Sequence, residues 1–518
     1  MNVIAFELGG TTLGSFFKFS FFISMMLLLT LVLTACWEKS NKPSQEEREL
    51  NNPDSTQELV ELTWYYPIRK LQNNQQAVEE AVNKITKQKL NTIVHLKPIS
   101  ISEYEAEMNV IVDSGGQFDI AWTSAWFFNH HNNVMKGAFL PIDELLGLYG
   151  KEIKAQIPEF MWMDATINGN IYFVPNYQVV VQRNGLIFLE ELVDKYDFDV
   201  TKVKSFEDVE PFLEIIKNNE KDFEVFRIGE EGFFDPDTYG YWGDAPGLGV
   251  SNLGMGLIKK GDDTHTFLEG DIPEFQDYLN LVRKWYLKGY IPQDNLTKGN
   301  IKSGAEKAAA VSWGWTLKPG GEIEEKMING GYDVIYVPLS KPLYTGVTNT
   351  MNALSATSEH PDRALMLLNL VNSDPELFNL LSYGIEGKHY TLVDENTIRI
   401  NVDGGYAPYQ AWIFGNVFNG YLLEGQAPDT WEVTKRLNET AEFWPYLGFV
   451  FNPNPIRTEI ESTTRVSQMY MPKLLTGVVD PAQTYPEYER KMKEAGMERI
   501  IQESQEQLNK WLDNKGKK

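Results

Sequence analysis

Residues 92–122, TIVHLKPISISEYEAEMNVIVDSGGQFDIAW, read as strand, helix and strand. Residues 92–96 (TIVHL) form the first of these strands, and Tyr104, Met108, Ile111 and Val112 then recur at the spacing of one helix face. Ser102 with Glu105 predicts a capping box at the start of the helix, and Gly115-Gly116 predicts its end. Residues 118–122 (FDIAW) form the next strand. The pattern extends upstream: residues 59–66 (LVELTWYY) are a β-rich run ended by Pro67, and Val78, Ala81, Val82 and Ile85 follow at helical spacing. The order is βαβαβ, which implies a parallel sheet with crossover helices. Ligands of such sheets bind outside the carboxyl ends of the strands. Those ends carry Trp64 and Tyr65, then Trp122, Thr123 and Trp126.

The chain begins with an export signal. Residues 21–33 (FFISMMLLLTLVL) follow Lys18 and are almost wholly apolar, too short to span a bilayer but suited to the core of a signal peptide. Leu33-Thr34-Ala35-Cys36 resembles the lipobox of bacterial lipoproteins, in which small residues admit the peptidase and the thiol takes the lipid. Residues 1–35 are therefore expected to be a signal peptide and Cys36 the lipidated residue. Residues 36–57 are polar and too poor in apolar surface to order themselves, which predicts a flexible tether. The stretch before Lys18 carries Glu7 and no base, which favours a start codon downstream of Met1. The expected location is the extracellular face of the cell membrane.

Composition narrows the function classes. Cys36 is the only cysteine of 518 residues, so the rest of the chain has no thiol for a disulfide, a metal site or nucleophilic catalysis. Lys and Arg number 47 against 72 Asp and Glu, a net charge of −25. Such a surface repels nucleic acid and anionic headgroups, so no nucleic-acid partner is expected and membrane attachment falls to the lipid anchor. The chain has 13 Trp and 24 Tyr, and many of them stand beside Gly, Pro, Asn or Ser at strand ends, where core residues are less expected.

Further motifs follow in order: residues 137–143 (GAFLPID), 167–175 (INGNIYFVP), 333–338 (DVIYVP), 346–356 (GVTNTMNALSA) and 360–364 (HPDRA). Their sequence and spacing resemble the extracellular solute-binding proteins that feed ABC importers, of the carbohydrate type. Residues 383–390 (YGIEGKHY) and 477–481 (GVVDP), with the closing helix after Ala495, are similar to a LipO-like subgroup of these lipoproteins. The resemblance covers nearly the whole chain after Gln57. It implies an α/β, two-lobed periplasmic-binding-protein-like fold (type II), each lobe a mixed sheet flanked by helices, with an interlobe hinge. Lobe one is expected over 58–175 with 346–385, and lobe two over 176–345 with 386–518, with crossovers near 175, 343 and 385. The implied function is capture of a small solute, an oligosaccharide or sugar derivative, and delivery to ABC permease subunits by a monomer that needs no cofactor.

A sugar ring offers apolar C–H faces to flat aromatic side chains and a rim of hydroxyls to polar groups. Trp64, Tyr65, Trp122, Thr123 and Trp126 are candidates from lobe one, and Tyr177 follows the first crossover. Trp242 lies in a Gly/Pro-rich loop, Trp313 and Trp315 follow the Ala-rich residues 304–311, and Tyr383 opens the 383–390 motif. Each of these rings can equally serve as a lid on the core, so the set carries more weight than any member. Asp119 is expected to cap the following turn.

An extracellular polysaccharide-active enzyme and an adhesive or structural surface lipoprotein are the alternatives. No two carboxylates are placed at glycosidase separation by the sequence, and residues 310–314 (AVSWG) lack the first Gly of a nucleophile elbow. Gly247 and Gly249 lack the third Gly of a dinucleotide fingerprint. His130 and His131 are adjacent and cannot easily face one ion, and Asp235 with Asp237 begins a calcium-loop pattern that fails at Pro246. No metal site is expected. Repeats and low complexity, which would favour adhesion, are absent from the sequence.

Overall fold

The computed structural model describes residues 58–242, 255–261, 265–293, 307–344, 346–449 and 451–515. The signal peptide, Cys36 and the tether lie outside the described residues. Among the described residues, no helix is long and apolar enough to cross a membrane.

The first sheet runs Thr92–Ser100, Val60–Ile68, Ile120–Thr123, Met351–Leu354, Phe173–Pro175. Its first three strands are parallel, joined by helices Gln75–Leu90 and Ile101–Asp113 as the βαβαβ pattern requires. Met351–Leu354 returns antiparallel to both of its neighbours. All residues of Ile120–Thr123 and Met351–Leu354 are buried, as expected for strands covered on both faces. The second sheet repeats the scheme: Val334–Pro338, Gly185–Leu189, Ala309–Gly314, Glu224–Arg227. Here Gly185–Leu189 is the wholly buried antiparallel strand, and Ala309–Gly314 pairs parallel with Glu224–Arg227. The two-lobed α/β architecture with mixed sheets is as expected.

Two local expectations are corrected. The second strand runs through Ser100 and the helix starts at Ile101, so Ser102 falls inside the first turn and caps nothing. Glu105 instead accepts the Phe128 N–H at 3.2 Å. The helix end is as predicted, with Gly115 left-handed at φ 68°. Asp119 caps no following turn either; it accepts the Thr63 N–H at 2.8 Å and the Ser358 hydroxyl, tying adjacent segments of the first lobe.

The crossings between lobes form a sheet of their own. Val181–Gln182 pairs antiparallel with Leu343–Tyr344, which pairs parallel with Glu442–Phe443. The first two of these strands lie at 181–182 and 343–344. The third falls at 442, not 385. Residues 404–416 stay with lobe one instead of joining lobe two: the carbonyls of Trp412 and Ile413 accept from Asn176 at 3.1 and 2.7 Å, and Phe414 packs edge-on against Trp64 and Tyr66. Only beyond Phe443 does the chain enter the second core, through Trp444, Tyr446, Phe449 and Phe451.

Candidate functional site

A buried polar lattice stands at the carboxyl ends of the first sheet's parallel strands. Trp122 donates its indole N–H to Thr350 Oγ1 at 2.8 Å, and that hydroxyl donates to the Trp412 carbonyl at 3.1 Å. Trp64 donates to Asn352 Oδ1 at 3.1 Å, while Asn352 Nδ2 donates to Asn176 and to the Ile413 carbonyl. Each buried polar group thus finds a partner, as low-dielectric surroundings demand. The lattice fixes the backbone at residues 412–413 and so the direction of the Trp412 ring.

That ring lines a cavity of about 590 Å³ including its open mouth. Its wall combines Tyr383, Tyr409 and Trp412 from lobe one with Lys318 and Glu324 from lobe two. Gln178 comes from the first crossing, and Trp431 and Thr434 from the helix Thr430–Thr440 that leads to the third. The cavity therefore lies between the lobes, beside the hinge sheet. Tyr409 holds a left-handed backbone at φ 51°, a conformation that costs a non-glycine residue on the order of 1–3 kcal/mol.

Most polar groups of the wall are already engaged. The Tyr383 hydroxyl donates to the Tyr421 carbonyl at 3.1 Å, Trp431 Nε1 to the Gly420 carbonyl at 3.0 Å, and the Thr434 hydroxyl to the Thr430 carbonyl at 2.8 Å. Lys318 meets both oxygens of Glu324 at 2.7 and 2.8 Å. Burial, with the Glu324 charge adding to it, drives the Tyr383 phenol pKa well up and keeps that hydroxyl protonated. The wall thus offers fixed aromatic faces and one internally balanced ion pair. Its only described carboxylate is held by that lysine, so the wall has no second carboxyl for paired acid–base work.

Of the candidates named from sequence, Tyr383 lines the cavity. Trp122 is one ring behind, edge-on to Trp412 at 5.8 Å. Tyr177 is also one ring behind, edge-on to Phe418 at 4.6 Å, which in turn meets Trp431 at 5.8 Å. Trp126 is 54% exposed beside Trp122. The others stand elsewhere. Trp64 is enclosed in the core, Thr123 is buried and donates to the Phe128 carbonyl at 2.6 Å, and Tyr65 packs edge-on against Phe118. Trp313 packs against Phe206 and Phe233 in the second core, with half-buried Trp315 edge-on to it. Trp242 is buried under the Lys260 ammonium, 4.2 Å from its ring centre. Asp237, from the failed calcium pattern, is paired with that lysine. His130 is buried against Phe173, and desolvation lowers its pKa to about 4.

Sequence reasoning missed Trp412, Trp431 and Tyr409. A signal existed for two of them: residues 403–415 (DGGYAPYQAWIFG) mix Gly, Pro and aromatics as the chosen loops do.

Comparison with known proteins bears on the fold. A family model described as a domain of unknown function (DUF3502) matches residues 445–513. A carbohydrate ABC transporter substrate-binding protein of Streptococcus pneumoniae is 28% identical over 509 residues, covering 96% of this chain and 99% of that one. The crystal structure of the N-glycan transport solute binding protein (NgtS) from Streptococcus pneumoniae superposes with TM-score 0.77 at 27% identity, over 88% of this chain and 100% of that one. The same protein in complex with Man5GlcNAc gives TM-score 0.73 at 26% identity, over 88% and 99%. The alginate-binding protein AlgQ2 shares the fold at TM-score 0.59 and 14% identity, over 88% and 99%. The resemblance to carbohydrate-type solute-binding proteins of ABC importers, read first from short motifs, thus extends to the whole fold and to nearly the whole chain.

Proposed function

We propose that the chain captures a neutral oligosaccharide in the interlobe cavity and delivers it to an ABC importer without acting on it chemically. The observation that carries this reading is the aromatic wall of the cavity beside the hinge, where Tyr383, Tyr409, Trp412 and Trp431 converge opposite Lys318 and Glu324 of lobe two. Aromatic faces fit the C–H faces of sugar rings, and closure of the lobes removes water and strengthens hydrogen bonds to the hydroxyls. Hinge bending about the three-stranded sheet supplies the closure. The two Streptococcus pneumoniae relatives support the sugar-uptake reading by their names, one as a carbohydrate substrate-binding protein and one as an N-glycan transport protein. Cys36 would carry the lipid that holds a monomer at the outer membrane face, within reach of permease subunits.

The test is a glycan array followed by titration calorimetry. Saturable binding of one saccharide class, with the sugar recovered intact, is the expected result. No binding to any saccharide would sink the reading, and product formation would move it to the enzyme alternative. Mass spectrometry of protein from its native membrane should find diacylglyceryl on Cys36, and Cys36→Ser should release the protein to the medium.

A further inference from the structure

Trp126 has a surface that the cavity does not account for. Tyr104, Phe127 and Trp126 stack as a column, with interplanar angles of 25° at both steps and ring centres 6.1 and 5.6 Å apart. Tyr104 closes the buried end of the column, and its hydroxyl donates to the Trp122 carbonyl at 2.7 Å. Trp126 ends it in solvent, 54% exposed. A large exposed indole on a flexible stem would lose rotamer freedom on meeting a ligand. This one has lost it already: its indole N–H donates to the Asn349 carbonyl at 2.9 Å, and the Phe127 N–H is pinned on the Ser124 hydroxyl at 2.9 Å. The column is thus a rigid stack whose last ring is open to solvent.

The column also connects to the cavity. Trp122 meets Trp126 edge-on at 5.6 Å and Trp412 edge-on at 5.8 Å, so the three indoles form a row from the cavity wall to the open surface. Asn349 is exposed at the same place and offers an amide to hydroxyl groups.

We propose that the exposed face of Trp126 is an outer subsite that stacks on a further sugar ring of an oligosaccharide whose inner residues occupy the cavity. The proposal rests on the reading of the cavity as a sugar site. It makes the preferred solute longer than the cavity alone would hold. A preorganised aromatic platform adds affinity without an ordering cost, so the longer chain binds more tightly than the shorter one.

The experiment uses the full chain with neutral oligosaccharides of graded length, Man1GlcNAc and Man5GlcNAc among them, by titration calorimetry. Trp126→Ala should lose roughly tenfold in affinity for the longer members, the scale of one aromatic contact, with the shorter ones bound as before. Trp126→Phe should restore part of the loss. Equal loss for short and long members, or none for either, overturns the subsite and leaves the cavity reading standing. Unchanged sugar binding with impaired uptake in cells also overturns it and assigns the ring to a protein partner. Failure of the wild-type chain to bind any saccharide overturns the cavity reading and the subsite together.

Discussion

Three tryptophans of lobe one and four of lobe two are used in opposite ways. In lobe one, Trp64, Trp122 and Trp126 each donate their indole N–H to a named oxygen, on Asn352, Thr350 and Asn349. In lobe two, Trp242, Trp285, Trp313 and Trp444 are buried with the N–H lacking a hydrogen-bond partner among the described residues. An orphaned buried donor costs about 1–3 kcal/mol, which the second lobe tolerates because these rings serve as apolar bulk. A donor bonded at one fixed oxygen sets a ring's orientation as well as its depth. Those three rings of the first lobe are therefore aimed, whereas the four of the second, and Trp162 in the first, fill space.

Four measurements can break or sharpen this contrast. The largest effect is expected from Trp285→Ala, where a wholly buried ring stacked on Phe233 is lost; it should cost roughly 3–5 kcal/mol in denaturant unfolding. A loss below 1 kcal/mol would show that the second core does not depend on its rings. Trp412→Ala should lower sugar affinity by about 2 kcal/mol with little change in melting temperature, because the ring is half-buried against an open cavity. Equal losses in binding and stability would make Trp412 a core residue after all.

A finer comparison pairs Trp122→Phe with Trp285→Phe. The first breaks a bond to Thr350, and the second removes an unsatisfied donor, so the first should be more destabilising by about 1 kcal/mol. The reverse order would refute the distinction between aimed and filling rings.

The smallest effect concerns the hinge between the lobes. Asp164 receives the Tyr344 hydroxyl at 2.5 Å, and burial raises its pKa from 3.8 to about 6. The folded state thus holds this proton more tightly than the unfolded one. Its favourable contribution is complete below about pH 4 and is lost as pH rises through 6. Asp164→Asn stays neutral throughout, so its melting temperature relative to wild type should climb between pH 4 and pH 7. A flat difference across that range would remove the buried charge from the account.

The alternation of strands and helices was legible because it is written in local periodicity: Val78 and Val82 or Tyr104 and Met108 fall on one face whatever the rest of the chain does. The third crossing was not legible. Glu442–Phe443 is two residues long, both exposed, and a strand that short has no period to detect. The aromatic character of the candidate site was legible from rings beside Gly, Pro and Asn, but the membership was not, because no ring on the wall stands at a strand end. Trp64 and Trp122 look alike in sequence, and only remote partners decide that the ring beside the cavity belongs to Trp412. Its backbone is fixed by Asn176, 236 residues away in the chain.

The small sheet at the crossings has a mechanical consequence. Leu343–Tyr344 is bonded on one side to the outgoing strand and on the other to the last one, so three covalent bridges share one ladder. Cutting the backbone of any one bridge would leave two intact and the severed end still held in register by its neighbour. A nicked molecule should therefore stay whole on a sizing column and keep a single swing axis, like a door hung on three leaves with one screw drawn.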